Sequence, residues 1–179
     1  MLKDRSRFSR EWYEEHPVTK ELLAQEKVFA GGRVLDIGCG IGTRACIAAD
    51  FYDGVQITGI DKSAYAISQA RGLFQPNLNF EVGDIMTDLD YDNEHFDGAY
   101  MLAVIEHIKD TARLLAKIKR LLKTNGYLFI SVTENNYHGD PDHVHSFSQE
   151  SLAQALTGFF AVRDIYVKEH IIFALVKNV

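Results

Sequence analysis

The segment Val34-Leu35-Asp36-Ile37-Gly38-Cys39-Gly40-Ile41-Gly42 constrains the fold of this chain more than any other stretch. A short apolar run that ends in glycines marks a buried strand where it turns sharply into its next element. The residues that follow keep the same rhythm. Thr43 to Tyr52 reads as an Ala-rich helix with Ile47 and Phe51 four apart, and Gln56 to Asp61 as a second strand. Ser63 is placed to cap a helix carrying Ala66, Ile67, Ala70, Leu73 and Phe74 on one face, which stops before Pro76. Leu78 to Val82 alternates as a third strand and Phe96 to Leu102 supplies a fourth. Asp110 caps an amphipathic helix with Leu114, Leu115, Ile118, Leu121 and Leu122 at helical spacing. Lys117, Lys119, Arg120 and Lys123 suit its C-terminal half, where the helix dipole favours cations. Asn125-Gly126 is expected to end that helix, and Tyr127 to Val132 to form a fifth strand.

Such alternation from residue 33 to about 132 calls for a parallel sheet with right-handed crossovers and helices on both faces. The last third departs from it. A polar loop, Glu134 to Ser148, leads to a helix at Gln149 to Thr157 and two strand-like runs, Ala161 to Val167 and Ile171 to Val176, joined by a hairpin turn. Phe8 to Phe29 is expected to be helical with a break at Pro17. A single domain is expected over 1–179, comprising a helical cap over 1–30 and an α/β core over 31–179.

Charge and cysteine usage narrow the partners. A net charge of −6 argues against nucleic acid, whose backbone is bound by Lys and Arg. The charged stretch Met1 to Arg10 does not read as a secretory signal, and Ile171 to Val176 is far too short to span a bilayer. Cys39 and Cys46, in a turn and a helix, do not suggest a disulfide framework, so a cytoplasmic address is expected.

In a doubly wound sheet a cofactor sits outside the carboxyl ends of the strands, where the first strand enters its helix. Glycines at 38, 40 and 42 let the backbone approach a ligand there. Asp61 lies 19 residues beyond Gly42, at the end of the second strand, where a carboxylate accepts the hydroxyls of a ribose. Asp84 ends the third strand, beside the place an adenine would occupy. A nicotinamide dinucleotide is the nearest competitor, but its fingerprint is G-x-G-x-x-G, aimed at a pyrophosphate. Here the spacing is Gly38-x-Gly40-x-Gly42, and Asp36 puts a carboxylate where a pyrophosphate would be repelled.

The stretch Val34 to Gly42 resembles motif I of class I S-adenosylmethionine (SAM)-dependent methyltransferases almost letter for letter. Ile60-Asp61 is similar to their second motif and Gly83-Asp84-Ile85 to their third. Phe96 to Ile108 resembles the fourth-strand segment of the branch that methylates small molecules, including the quinone-biosynthesis enzymes, and Asp140 to Ser148 a loop of that branch. The resemblance covers about residues 30 to 177. It implies an α/β fold, a doubly wound Rossmann-like seven-stranded sheet, mostly parallel with the last strand antiparallel. It also implies SAM as cofactor and S-adenosylhomocysteine as product. By the same resemblance Asp36, Gly38, Cys39, Gly40 and Gly42 line the methionine part of SAM. Asp61 holds the ribose, Lys62 packs by the adenine, and Asp84 with the Ile85 backbone reads the adenine edge. Met101 and Leu102 line the pocket near the sulfonium, and Lys62 falls where the family varies.

The acceptor side is less defined. Methyl transfer is an in-line displacement in which a base helps only when the nucleophile arrives protonated. His107 follows the fourth strand, and His143 and His145 lie in the polar loop, so these three are the candidate catalytic residues. The competing reading is that Glu106-His107 shapes the loop by contacting backbone. His138, Asp140 and Asp142 add further metal-ligand types, but His143 and His145 point opposite ways on an extended segment, so no metal is expected. Trp12, Tyr13, His107 and Tyr137 are the candidate substrate contacts, Trp12 and Tyr13 as part of a lid or, alternatively, as core at the sheet edge. Cys39 reads as a small turn residue rather than a nucleophile.

A small-molecule acceptor is the favoured substrate class, and a monomer or homodimer the expected assembly. A SAM-binding subunit without transfer activity stays open. A macromolecular methyltransferase is weighed down by the acidic charge and by the lack of an Asn/Asp-Pro-Pro-aromatic run after the fourth strand.

Overall fold

A computed structural model of the chain describes residues 9–87, 89 and 91–179. Three short helices come first, α1 (Arg10–Glu15), α2 (Pro17–Leu23) and α3 (Glu26–Phe29). The core then runs β1 (Arg33–Ile37), α4 (Thr43–Phe51), β2 (Gln56–Asp61), α5 (Ala64–Ala70), β3 (Leu78–Val82) and β4 (Phe96–Leu102). A 3-10 turn (Ile105–His107) precedes α6 (Thr111–Leu121), β5 (Leu122–Thr133), α7 (Gln149–Thr157), β6 (Ala161–Lys168) and β7 (Ile171–Lys177). The strands form one sheet in the order β3-β2-β1-β4-β5-β7-β6. β1 to β5 pair in parallel, and β7 runs antiparallel to both β5 and β6. This is the seven-stranded arrangement expected from the sequence.

Strand periodicity sorts the interior into two cores. On one face Leu35 and Ile37 of β1 pack with Met101, with Ile118 and Leu121 of α6 and with Leu152 of α7. On the other, Val34, Tyr100 and Leu102 meet Ala45 and Ala48 of α4, Leu22 of α2 and Phe29 of α3. Each large side chain so buried contributes about 1.5–3 kcal/mol, which is why the amphipathic stripe of α6 fixes which way that helix faces. β1 stands between β2 and β4. The chain winds outward from it through β2 and β3, then returns to its other side at β4, and this reversal leaves a crevice at the carboxyl ends of β1 and β4.

Two helix ends differ from the sequence expectation. Residues Leu73 and Phe74 lie beyond α5, and Phe74 is 88% exposed, because the helix closes at Ala70 before Gly72. The other, α6, stops at Leu121 rather than at Asn125-Gly126, and Leu122 already pairs with Phe96 of β4. The cause lies at the far end of the chain. The buried Asn178 amide donates to the carbonyls of Lys119 (3.2 Å), Leu122 (2.9 Å) and Lys123 (3.2 Å), supplying the C-terminal cap. Asn125, at φ 69°, then turns the chain within an irregular start to β5. The break at Pro17 is observed, with His16 as N-cap of α2 through Nδ1, which accepts from Val18 N–H. Phe8, assigned to the first helix from sequence, and most of Met1 to Arg10 lie outside the described residues.

Candidate functional site

The three glycines of the turn all have positive φ, of 73°, 57° and 79°, yet they serve different ends. A Cβ at Gly38 would stand 2.5 Å from Val104 Cγ2, and one at Gly42 2.7 Å from Phe80 Cζ and 2.9 Å from Ala70 Cβ. Those two allow close packing within the protein. A Cβ at Gly40 would meet nothing within 4 Å, so Gly40 is the glycine that opens onto free space. Its N–H donates to Asp61 Oδ2 (3.0 Å), while Asp61 Oδ1 accepts from Ser63 N–H (2.8 Å). One carboxylate therefore joins the turn after β1 to the start of α5. An ionised carboxylate has roughly four acceptor positions, so capacity for two hydroxyls remains. At the end of β3, Asp84 folds its own turn, with Oδ1 accepting from Met86 N–H (2.8 Å), and Ile85 beside it is buried.

Asp36 is buried, on the α4 face of β1, in register with Tyr100 of β4. Burial pushes its carboxyl up to about 7, against the opposing pull of Tyr100 and of Arg44. Arg44 belongs to the first turn of α4. Its Nε donates to Thr19 Oγ1 (3.3 Å) and its guanidinium lies 4.9 Å from the centre of the Tyr13 ring. Arg44 thus connects the N-terminal helices to the charge at the glycine turn. Tyr13 is buried at this junction, whereas Trp12 is 40% exposed and packs edge-on against Tyr13. Arg10 points elsewhere, pairing with Glu14 and with Asp50 of α4. Cys39 is half-buried, and burial raises its thiol far above the usual range, which suits a turn residue and not a nucleophile.

At the end of β4 the two aliphatic candidates part company. Leu102 lies on the Asp36 face, while Met101 is fully buried in the opposite core. Lys62 is exposed after β2. Ala103 adopts φ 56°, a left-handed conformation that costs a non-glycine residue about 1–2 kcal/mol and marks the strand end as a constrained position. Val104 then packs against Gly38, so the 3-10 turn begins beside the glycine turn.

The polar loop is bound to that turn. Glu106 C=O accepts from Val144 N–H (2.9 Å) and His145 N–H (3.1 Å). His107 Nδ1 lies 3.1 Å from Asp142 C=O, and His145 Nε2 3.1 Å from Lys109 C=O. His107 is exposed, and the His107 and His143 rings meet edge to face with centroids 4.8 Å apart. The structure therefore brings His107 and His143 together, with the Glu106 carboxylate beside them, and anchors His145 separately. Tyr137 is exposed and stacks on His170 at the β6–β7 turn, with centroids 3.7 Å apart. The sequence reading missed Arg44 and Ala103. Arg44 carries no motif signal, and nothing in the letter Ala announces a positive φ.

Comparison with known proteins gives the family and the fold. A family model described as a methyltransferase domain matches residues 9–159. An O-methyltransferase of Pyrenophora dematioidea is 31% identical over 172 residues, covering 86% of this chain and 64% of that protein. The ubiquinone biosynthesis O-methyltransferase of Coxiella burnetii (strain Dugway 5J108-111) is 31% identical over 125 residues, covering 68% of this chain and 52% of that protein. The chain thus spans about half to two thirds of the length of these curated relatives. Among solved structures, a SAM-dependent methyltransferase from Aquifex aeolicus superposes with a TM-score of 0.75 at 16% identity, covering 97% of this chain and all of that one. At that identity the likeness is one of fold.

Proposed function

The chain belongs to the methyltransferase-domain family, and on that premise we propose that it transfers a methyl group from SAM to a small-molecule acceptor. The observation that carries this reading is the pair of acids at the glycine turn. Asp61 is fastened to Gly40 and to the cap of α5 with acceptor positions to spare for ribose hydroxyls, and buried Asp36 suits a cationic aminoacyl-sulfonium. The open side of Gly40 admits a ligand backbone-close. The same features disfavour a dinucleotide, since a pyrophosphate would meet Asp36. O-methyltransferase relatives and the acidic charge of −6 both support a small acceptor over nucleic acid.

SAM, when bound, supplies the activated methyl group, so the residues of this chain bind, orient and exclude water. Asp61 would take the ribose and the Asp84–Ile85 turn the adenine. Asp36, Gly38, Cys39 and Gly40 would surround the methionine part, with Gly42 supporting the turn from behind. Leu102 would line the reacting end. Tyr13, Trp12 and Arg44 would cover it, as the cap closes the crevice. His107, at the mouth of the site, would accept a proton from a hydroxyl acceptor, with His143 beneath it. We read the protein as acting in the aqueous phase, as a monomer or homodimer. No helix among the described residues is long and apolar enough to cross a membrane.

Labelled-methyl transfer from SAM to a panel of phenols, carboxylic acids, thiols and amines tests this reading, alongside calorimetry with SAM. Turnover of at least one class is expected. Saturable SAM binding with no transfer to any of them would support a SAM-binding subunit instead, and absence of SAM binding would refute the assignment.

A further inference from the structure

Glu106, His107 and His143 each place a potential ligand atom within 4.8 Å of the others. His143 Nε2 lies 4.0 Å from Glu106 Oε1, and the two side chains are 8% and 1% exposed. His107 stands above them at the surface. The sequence reading rejected a metal because His143 and His145 diverge. The fold instead pairs His143 with His107, 36 residues away in the chain, across the contact between the polar loop and the 3-10 turn.

The tautomer of His107 is fixed by its partner. A backbone carbonyl only accepts, so the Nδ1 that lies 3.1 Å from Asp142 C=O carries the proton and, in the neutral ring, Nε2 presents its lone pair. An outward N–H bond to a carbonyl is the usual device by which a protein orients a metal-binding imidazole.

We propose that Glu106, His107 and His143 form a three-ligand site for a divalent transition-metal ion of the zinc type. Two imidazoles and one carboxylate are a donor set suited to such an ion, and three protein ligands leave coordination open, as catalytic rather than structural sites do. Bonds of about 2.0–2.2 Å require ligand atoms about 3.4 Å apart in a tetrahedron, so the side chains close by roughly an ångström on binding. The purpose of the site rests on the methyl-transfer reading. The turn that carries Glu106 and His107 begins beside Gly38. With Nε2 committed to the ion, His107 serves as a ligand in place of the proton acceptor proposed above, and an acceptor hydroxyl bound to the ion releases its proton to bulk water; its oxygen lone pair then forms the new C–O bond while the sulfur keeps the electrons of the broken S–C bond and leaves neutral. The acceptor class is therefore an oxygen nucleophile, best with a second oxygen near enough to chelate.

The test is metal binding by the full chain without SAM or acceptor. Chelator-treated protein is titrated with Zn2+ by calorimetry, and with Co2+ while the visible spectrum is recorded. One ion per chain is expected, with a tetrahedral cobalt band. His107→Gln and His143→Ala are each expected to weaken binding at least tenfold, while His138→Gln in the same loop leaves it unchanged. His107 is exposed, so its variant keeps the fold, and a thermal melt of each variant verifies this. Absence of one-to-one binding overturns the site, as does zinc affinity that His107→Gln leaves intact. Calorimetry of the metal-free protein with SAM separates the two proposals. SAM binding without zinc binding removes only the metal site, and zinc binding without SAM binding removes the methyl donor instead.

Discussion

At the scale of single residues the turn after β1 makes two measurable predictions. The first concerns Asp36, whose carboxyl is raised from an ordinary 3.8 to about 7, first by burial. Between those values the folded chain holds a proton that the unfolded chain has lost, so stability falls as pH rises from about 4 to about 7. Urea midpoints measured across this range are expected to decline, and Asp36→Asn should flatten the slope. A cation bound beside Asp36 reverses the shift, so SAM binding below about pH 7 should release a proton, seen as a buffer-dependent heat. The second prediction separates the glycines. Gly38→Ala places a Cβ 2.5 Å from Val104 and should cost about 2 kcal/mol or more of stability, whereas Gly40→Ala carries only the positive-φ penalty of about 1 kcal/mol and should lose chiefly SAM affinity. Equal stability losses in the two variants would contradict the division of roles. Much of this was legible beforehand, because Asp36, Asp61 and Asp84 lie at or just past the carboxyl ends of strands that the apolar runs mark out. Arg44 and the left-handed Ala103 were not, since each depends on what the fold brings alongside.

At the scale of elements, local periodicity located every strand among the described residues, and a long-range contact set the end of α6 that it misplaced. The cap on α6 comes from Asn178, more than fifty residues onward, so no window around Leu121 contains the signal. The N-terminal helices show the same dependence. Glu21 of α2 accepts from Tyr166 (2.5 Å) and Lys168 (2.7 Å) on β6, tying the cap to the opposite end of the chain. Burial works against the Glu21 carboxylate, but these two donors outweigh it and hold the group below its usual range. Its contribution is therefore present above about pH 4.5 and is lost as pH falls through the lowered value. Glu21→Ala should cost about 1–2 kcal/mol at neutral pH, the lower end of charged hydrogen bonds because Lys168 is half exposed. Denaturant midpoints at pH 7 and pH 3 check this, with the difference between variant and parent shrinking at the lower value.

Over the whole molecule, the reversal of strand order beside β1 makes one crevice the meeting point of β1, β2, β3, the cap and the polar loop. A ligand there touches elements from across the chain and binds the folded state alone, so its affinity appears directly as stability. At a concentration one hundred times its Kd the gain is about 2.7 kcal/mol, which for a chain of this length raises Tm by roughly 5–10 °C. SAM and S-adenosylhomocysteine are expected to produce that shift. NAD is not, because its pyrophosphate would enter a turn flanked by Asp36 and Asp61 and would lack the G-x-G-x-x-G spacing that aims amides at phosphate. The Asp61→Ala variant makes the comparison specific. It removes the acceptor for ribose and the bond to Gly40 together, so SAM affinity should fall at least tenfold while melting without ligand changes far less. A shift with NAD equal to that with SAM, or an Asp61→Ala protein still raised by SAM at the parent's concentration dependence, would mean that the crevice is occupied in another way.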